Sequence, residues 1–292
     1  MTDESAEGTG VLTVVATPIG NLDDVTLRAL RVLREADLVL AEDTRRTRKL
    51  LTHHGISARL RALHAHSSPA VIERCLEDVR AGKALALVTD AGTPLLSDPG
   101  GMLVAAARQR GFQVQSAPGP SAVVAALTVC GLPFDAFRFA GFAPRSGKRR
   151  RQWLDAIATS PEASVFFEAP TRLAATLNEL ATRLPEEREL AVCRELTKLH
   201  EEVVRGDAAS LAERFSGGVR GEITVVVAAG PAAGAAEDAA SQAPQLDSEI
   251  RSLLEQGHSP RDITRELTRR HGLPRRRVYA AVQALADGLS RS

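Results

Sequence analysis

Ala84-Leu85-Ala86-Leu87-Val88 is an unbroken apolar run that stops at Thr89-Asp90-Ala91-Gly92-Thr93-Pro94-Leu95-Leu96-Ser97-Asp98-Pro99-Gly100, a loop of small residues, prolines and carboxylates. So short a run without charge predicts a buried strand, of the kind covered on both faces by helices in a parallel sheet. The carboxyl end of such a strand is where open α/β sheets place ligands, and small residues there let backbone amides and carbonyls approach a flat group. The same glycine and prolines would equally serve an ordinary turn into the next helix.

The pattern recurs on either side. Val11 to Ala16 predicts a buried strand that stops at Thr17-Pro18-Ile19-Gly20-Asn21-Leu22-Asp23-Asp24. Leu27, Leu30 and Leu33 then follow at helical spacing, with Asp24 or Thr26 as the cap. Leu38 to Ala41 predicts the next strand, ending in Glu42-Asp43-Thr44-Arg45. This β-α-β rhythm predicts an α/β fold, yet Pro18 and Gly20 replace the G-x-G-x-x-G of a Rossmann cofactor site. Val114 to Ser116 predicts a strand delivering Pro118-Gly119-Pro120-Ser121-Ala122 to an apolar helix, Val123 to Cys130, whose first turn presents free amides near Ser121. The loops 18–24, 90–98 and 118–122 are therefore expected at one edge of a single sheet.

Composition changes past Gly131-Leu132-Pro133, so we expect one α/β domain over 11–132 and a second over 133–230. In the second, Ser164 to Phe167 predicts a strand ending in Glu168-Ala169-Pro170-Thr171-Arg172, and Leu190 to Cys193 one ending in Arg194-Glu195-Leu196-Thr197-Lys198. Gly221 to Ala229 closes it with the β-branched run Ile223 to Val227. Residues 231–244, rich in Ala, Gly and Pro, are expected to be a flexible linker, and 245–292 a small helical unit resembling a helix-turn-helix. Arg275, Arg276 and Arg277 open its last helix.

Two basic clusters stand out. Arg45, Arg46, Arg48 and Lys49 stripe the helix after Glu42 and Asp43, and Lys148, Arg149, Arg150 and Arg151 end a loop that begins at Gly141. From Gly141 to Gly147-Lys148 is one residue too long for a phosphate-binding Walker loop, and Arg149 stands where Ser or Thr would hold magnesium. Both clusters suit either a phosphate backbone or water. A net charge of +1 means that any nucleic-acid contact must come from such local patches.

Other classes are excluded. Cys75, Cys130 and Cys193 are scattered without a Cys-x-x-Cys pair, which fits a reducing cytoplasm rather than a disulfide framework or zinc site. His64-Ala65-His66 would put two imidazoles on one strand face, but no third ligand lies nearby, so no metal is expected. No apolar run approaches a membrane span, and none reads as a signal segment.

Taken in order, Ala16 to Leu22, Ala41 to Arg45, Val88 to Gly100, Pro118 to Ala122, Phe167 to Arg172 and Arg194 to Lys198 resemble the motifs of the ribosomal RNA small-subunit methyltransferase I family, of the tetrapyrrole-methylase-like class. The resemblance implies two α/β domains (class III methyltransferase fold) with S-adenosylmethionine in the cleft between them. It further implies a homodimer, and 2′-O-methylation of a cytidine in the decoding region of 16S rRNA, free or in the 30S subunit. Carried over, Pro18, Ile19, Gly20, Asp90, Ala91, Gly92, Thr93, Ser121 and Ala122 would line the cofactor from the first domain, and Glu168 and Leu196 from the second. Ser67-Ser68 after His66 departs from the family's more usual Asn-Glu, which weakens any catalytic role for that loop.

For such a reaction Glu42 and Asp43 are the candidates to orient the hydroxyl, with Glu168 as a further carboxylate, and ion pairs to Arg45 or Arg46 as the structural alternative for the first two. Arg45, Arg46, Arg48 and Lys148 to Arg151 are the candidate RNA contacts, with Arg275 to Arg277 less directly implicated. The competing readings are a tetrapyrrole C-methyltransferase of the same fold and a non-enzymatic DNA-binding regulator built on the terminal helices.

Overall fold

The computed structural model describes residues 10–64, 67–95, 100–230, 246–254, 256–271, 278, 279, 281–283 and 285. They fall in two compact units, one ending at Gly230 and one beginning at Pro231. In the first unit β1 (Val11–Val15), β2 (Leu38–Ala41), β3 (Leu60–Ala62), β4 (Ala84–Val88) and β5 (Gln113–Ala117) form an all-parallel sheet in the order β3-β2-β4-β1-β5. The helices α1 (Leu27–Glu35), α2 (Thr44–His53), α3 (Pro69–Arg80) and α4 (Gly101–Gln109) connect its strands.

Central strands of such a sheet are covered on both faces, which is why β1 and β4 carry no charge. Alternate residues divide between two cores: Leu12, Leu85 and Leu87 pack with Leu76 and Leu103, while Val15, Ala86 and Val88 pack with Leu33 and Leu51. Thr26, not Asp24, caps α1, its Oγ1 accepting from the Ala29 N–H at 3.1 Å, and Asp24 ends a short 3-10 turn. β3 stops at Ala62, so His64 is an exposed residue beyond the strand rather than one of two imidazoles on its face; His66 lies outside the described residues.

The second sheet comprises β6 (Phe137–Phe142), β7 (Ala163–Glu168), β8 (Leu190–Arg194), β9 (Glu202–Gly206) and β10 (Ile223–Val227), in the order β6-β7-β10-β8-β9. Only β6 and β7 run parallel; β10 is antiparallel to both of its neighbours. One face packs through Phe166, Val225 and Val227 on α6 (Gly147–Ala158), α7 (Leu173–Ala181) and α8 (Ala208–Arg214). The other face presents Val165, Ala191, Cys193 and Val226 to α5 (Ala122–Val129), which buries Val123, Ala126 and Leu127 against it.

α5 thus packs on the second sheet although it precedes the expected joint at Leu132-Pro133, and both sheets belong to one unit. The stretch 141–151 also differs from the loop expected there. β6 continues through Phe142, and Lys148 to Arg151 lie within the first turns of α6, which begins at Gly147.

In the second unit, the helices 246–254 and Pro260–His271 bury Leu246, Ile250, Ile263 and Leu267 with Val278 and Val282. The expected linker 231–244 and Arg275 to Arg277 lie outside the described residues. Among the described residues no helix is long and apolar enough to cross a membrane, and no cluster of His, Cys, Asp and Glu could hold a metal.

Candidate active site

The loops that leave β1, β4 and β5 are tied to one another. Thr17 and Gly92 exchange both backbone hydrogen bonds, at 2.9 and 3.0 Å. The Thr17 hydroxyl donates to the Thr89 carbonyl at 3.2 Å, and the Thr93 hydroxyl donates to the Pro120 carbonyl at 3.0 Å. Together they line a cavity of about 450 Å³ through Ile19, Asp90, Ala91, Gly92, Thr93, Ser121, Ala122 and Val123. The second sheet supplies the opposite wall from Phe142, Phe167 to Pro170 and Gly221 to Thr224.

Local backbone chemistry suits this floor. Gly92 has φ +80°, and a Cβ there would stand 3.3 Å from Ile19 Cγ2, so a side chain would be both strained and crowding. Ser121, the N-cap of α5, makes no capping hydrogen bond with its side chain. The first-turn amides of α5, at the positive end of the helix dipole, therefore stand beside the cavity without that cap.

Charge enters from the end of β2 and the start of α2, through Glu42 and Arg46. Glu42 Oε2 accepts from the Thr89 hydroxyl at 2.9 Å. Asp90 Oδ1 accepts the Asp43 N–H at 2.9 Å, and its Oδ2 lies 3.5 Å from Arg46 Nε. Burial pushes the Asp90 carboxyl above its ordinary range and the negative charge of Glu42 adds to this, while the Asp43 N–H and Arg46 pull the other way.

Glu42 and Asp43, equal candidates in the sequence, have different surroundings. Asp43 is the N-cap of α2, accepting from the Arg45 N–H at 2.8 Å and from the Arg45 guanidinium at 2.8 Å. Those hydrogen bonds hold its carboxyl far below the usual range, and it is not among the cavity-lining residues. So strongly ionised a group is a poor proton acceptor. Glu42 lines the cavity, and its Oε1 accepts nothing from the described residues.

Glu168 lines the cavity but its carboxylate is fully buried. Oε1 accepts the Ala169 N–H at 2.7 Å and pairs with Arg172, while Oε2 accepts from the Thr176 hydroxyl and lies 4.0 Å from Arg150. It braces the end of β7 and the Ala169-Pro170 wall, and is not free to take a proton from a ligand.

Arg150 belongs to the same cluster. Its guanidinium donates to the Pro144 carbonyl at 2.8 Å, the Thr176 hydroxyl at 2.9 Å and Glu179 Oε1 at 2.8 Å, with only 8% of the side chain exposed. It is therefore withdrawn from the RNA contacts, because one helical turn cannot aim four consecutive side chains at the same surface. Lys148, Arg149 and Arg151 are exposed, as are Arg45, Arg46 and Arg48.

Pro18, Gly20 and Leu196 do not line the cavity; Pro18 and Leu196 are buried. A Cβ on Gly20 would stand 2.8 Å from both the Leu196 carbonyl and Thr197 Oγ1. The Asn21 N–H donates to Thr197 Oγ1 at 3.1 Å, and Leu196 shares a buried cluster with Ile19. These residues clamp the β1 loop to the turn after β8, where Glu195 and Thr197 both hold positive φ.

The segment Gly221 to Thr224 escapes a sequence reading that looks for ligand loops only at the carboxyl ends of strands. β10 is antiparallel, with Ile223 opposite Glu168 and Arg194, so its amino end lies at the carboxyl ends of β7 and β8. Gly221, two residues before the β-branched run that starts at Ile223, is the sequence signal that could have found it, and in the structure it holds φ +97°. Phe142 and Phe167 also line the cavity, although nothing in their apolar surroundings in the sequence marks them as wall residues.

Comparison with known proteins agrees with this architecture. Residues 11–212 match the family described as Tetrapyrrole (Corrin/Porphyrin) Methylases. Among curated relatives, proteins named Ribosomal RNA small subunit methyltransferase I from Xylella fastidiosa and Mycobacterium tuberculosis are 42% and 44% identical, covering 92% and 94% of this chain and 98% and 94% of their own lengths. One of the same name from Synechocystis is 41% identical over 96% of this chain and 100% of its own. Among solved structures, a diphthine synthase superposes with TM-score 0.60 at 18% identity, covering 75% of this chain and 90% of its own. A cobalt precorrin-4 methyltransferase does so with TM-score 0.57 at 16% identity, covering 78% and 98%. At that identity the two structures speak for the fold alone. Residue matches of this extent, over a fold and a cleft of this construction, mean that the chain belongs to the ribosomal RNA small subunit methyltransferase I family.

Proposed function

We propose that this protein transfers a methyl group from S-adenosylmethionine to the 2′-oxygen of a cytidine ribose in the decoding region of 16S rRNA, free or within the 30S subunit. The observation that carries the reading is the cavity itself: backbone-rich strand-end loops on one side, a wall from the second sheet that includes Phe142, Phe167 and Ile223 on the other, and Glu42, one of whose oxygens accepts nothing from the described residues, in the lining. The family supplies the substrate class, since its curated members are named for small-subunit rRNA.

The residues present fit the cofactor. A volume of about 450 Å³ suits a nucleoside-sized ligand. Gly92 admits a flat ring close to the backbone, Ile19, Val123 and Ile223 supply apolar contact, and the first turn of α5 suits a carboxylate. When bound, S-adenosylmethionine supplies an electrophilic methyl on a sulfonium. Passing that methyl to the ribose oxygen would release the neutral thioether and would require the 2′-hydroxyl proton to be taken up by a group of the chain.

The chain's contribution is chiefly to hold the reacting atoms in line, an effect that reaches about 7–11 kcal/mol for well-oriented partners. Glu42 orients the hydroxyl and receives its proton, while Thr89 fixes the Glu42 carboxylate through Oε2. Arg46 balances the Asp90 charge, and with Arg45, Arg48, Lys148, Arg149 and Arg151 it offers exposed cations to the RNA backbone. The protein is taken to act in the cytoplasm, consistent with three unbridged cysteines, and as a homodimer, supported by exposed Phe134 and Phe137 rings 6.3 Å apart.

The test is to incubate the purified chain with methyl-labelled cofactor and unmethylated 30S subunits or 16S rRNA, and to map 2′-O-methylation. A single cytidine in the decoding region is expected, lost when that position is deoxyribose. Label on no rRNA overturns the reading. Label on a corrinoid or sirohaem precursor would favour the tetrapyrrole alternative, for which the structures offer only a likeness of fold. Operator-specific DNA binding without methyl transfer would favour the regulator, a reading that leaves the cavity without a use.

A further inference from the structure

β6 contains a bulge at the mouth of the cavity. Phe139 pairs with Val165 and Phe142 with Phe167, so one extra residue of β6 is accommodated over that interval, and Gly141 within it holds φ +66°. In an unbulged strand residue 141 would oppose Phe167 and residue 142 would face the other side of the sheet. The extra residue turns Phe142 over, and its ring lies 5.2 Å from that of Phe167, against which Phe139 packs at 5.0 Å from the opposite flank of the bulge.

The result is a phenylalanine that lines the cavity and is yet 58% exposed, in a chain whose aromatic content is 3%. Its position is not left to chance, because Gly141, the bulge and the Phe167 ring all hold it. A few residues further on, Arg145, Lys148, Arg149 and Arg151 are exposed at the start of α6. An exposed ring followed in one segment by cations is the combination that seats single-stranded nucleic acid: the ring takes a base by stacking and the cations take the flanking phosphates.

We infer that Phe142 is the platform on which the base of the methyl-accepting nucleotide stacks once it has left its neighbours in the RNA. The inference rests on the rRNA reading above. A ribose embedded in stacked RNA cannot enter a cleft between two sheets, and a nucleotide drawn out of the stack needs a new partner for its exposed face. Phe142 offers that partner at the cavity mouth, beside the wall formed by Phe167. The competing occupant is the adenine of the cofactor, and the test separates the two.

Phe142→Ala, Phe142→Leu and Phe142→Trp in the full-length chain are to be compared with wild type for affinity toward S-adenosylhomocysteine, affinity for the rRNA substrate and single-turnover methylation. Removal of one stack predicts that the Ala and Leu variants lose RNA affinity or kcat/KM by about 5- to 150-fold, with rescue by Trp and with a much smaller change in cofactor affinity. Leu keeps apolar bulk without a π face, so a Leu variant equal to wild type overturns the inference. So does a loss confined to S-adenosylhomocysteine affinity, which would seat adenine on the ring. A wild-type chain that methylates no rRNA overturns the reading beneath; an active wild type with a silent Phe142→Ala overturns this inference alone.

Discussion

Thr89 donates its hydroxyl hydrogen bond to Glu42 Oε2 at 2.9 Å, joining the end of β4 to the end of β2 across two adjacent parallel strands. The bond fixes one carboxylate oxygen of a residue that lines the cavity, and the other accepts nothing from the described residues. Glu42→Gln removes the proton acceptor with little change of shape, and is expected to slow single-turnover methylation by about 10²- to 10⁴-fold with cofactor affinity retained. Asp43→Asn is expected to keep the rate and to lower the thermal midpoint, since Asp43 caps α2 and pairs with Arg45. Equal rates for Glu42→Gln and wild type would remove Glu42 from the chemistry.

Asp90 gives a pH dependence of defined sign. Its folded-state pKa is raised, chiefly by burial, so the folded state is penalised once the carboxyl ionises. That penalty is absent below the ordinary aspartate value of about 3.9, grows as pH rises through the folded value, and is present in full at neutral pH. Asp90→Asn keeps an acceptor for the Asp43 N–H and is expected to raise the unfolding midpoint at pH 7, with the advantage vanishing in acid. Denaturant unfolding across pH checks this; a variant less stable at pH 7 would contradict it.

Arg150 and its neighbours should separate cleanly. Removing one member of a buried ion cluster typically costs about 3–5 kcal/mol, which is the loss expected for Arg150→Ala in urea unfolding. Lys148→Ala, Arg149→Ala and Arg151→Ala should stay within about 0.5 kcal/mol of wild type. For each of those three cations that neutralises a phosphate, its removal should flatten the dependence of log affinity on log salt by about 0.7–0.9. Unchanged affinity and slope in the triple variant would remove this turn from the RNA surface.

Gly20→Ala tests the clamp between the β1 loop and the β8 turn. The new methyl would meet the Leu196 carbonyl at 2.8 Å, a backbone atom in a turn already held at positive φ on both sides. Overpacking of this kind costs about 1–3 kcal/mol. The variant should also bind S-adenosylhomocysteine more weakly, because Ile19 beside it lines the cavity. Calorimetry on both properties checks the link, and a loss of stability alone would mean that Ile19 can hold its place without the clamp.

Much of this was legible in the chain because burial on both faces of β1 and β4 forbids charge, leaving strands that announce themselves and loops that follow them. The convergence of 18–24, 90–98 and 118–122 follows from parallel strands in one sheet, and among the described residues the Thr17–Gly92 and Thr93–Pro120 bonds tie those loops together. Other features depend on partners distant in sequence. An apolar helix such as α5 does not declare which sheet it will cover, and adjacent arginines do not declare which one meets Glu168 and Glu179. The direction of β10 depends on pairing with strands about 30 and 60 residues earlier. These are tertiary decisions, and a one-dimensional pattern carries little of them.

The placement of β10 between β7 and β8 bears on how the protein is made. All strands of its first sheet lie at or before Ala117, so that sheet can assemble before the later strands have been synthesised. The second sheet has a vacancy at its centre until Ile223–Val227 emerges, and the same segment completes the cavity wall through Ile223 and Thr224. Completion of the cavity is thereby deferred until this late strand is made: a nascent chain stalled or truncated before residue 223 lacks the central strand of its second sheet and part of the cavity wall.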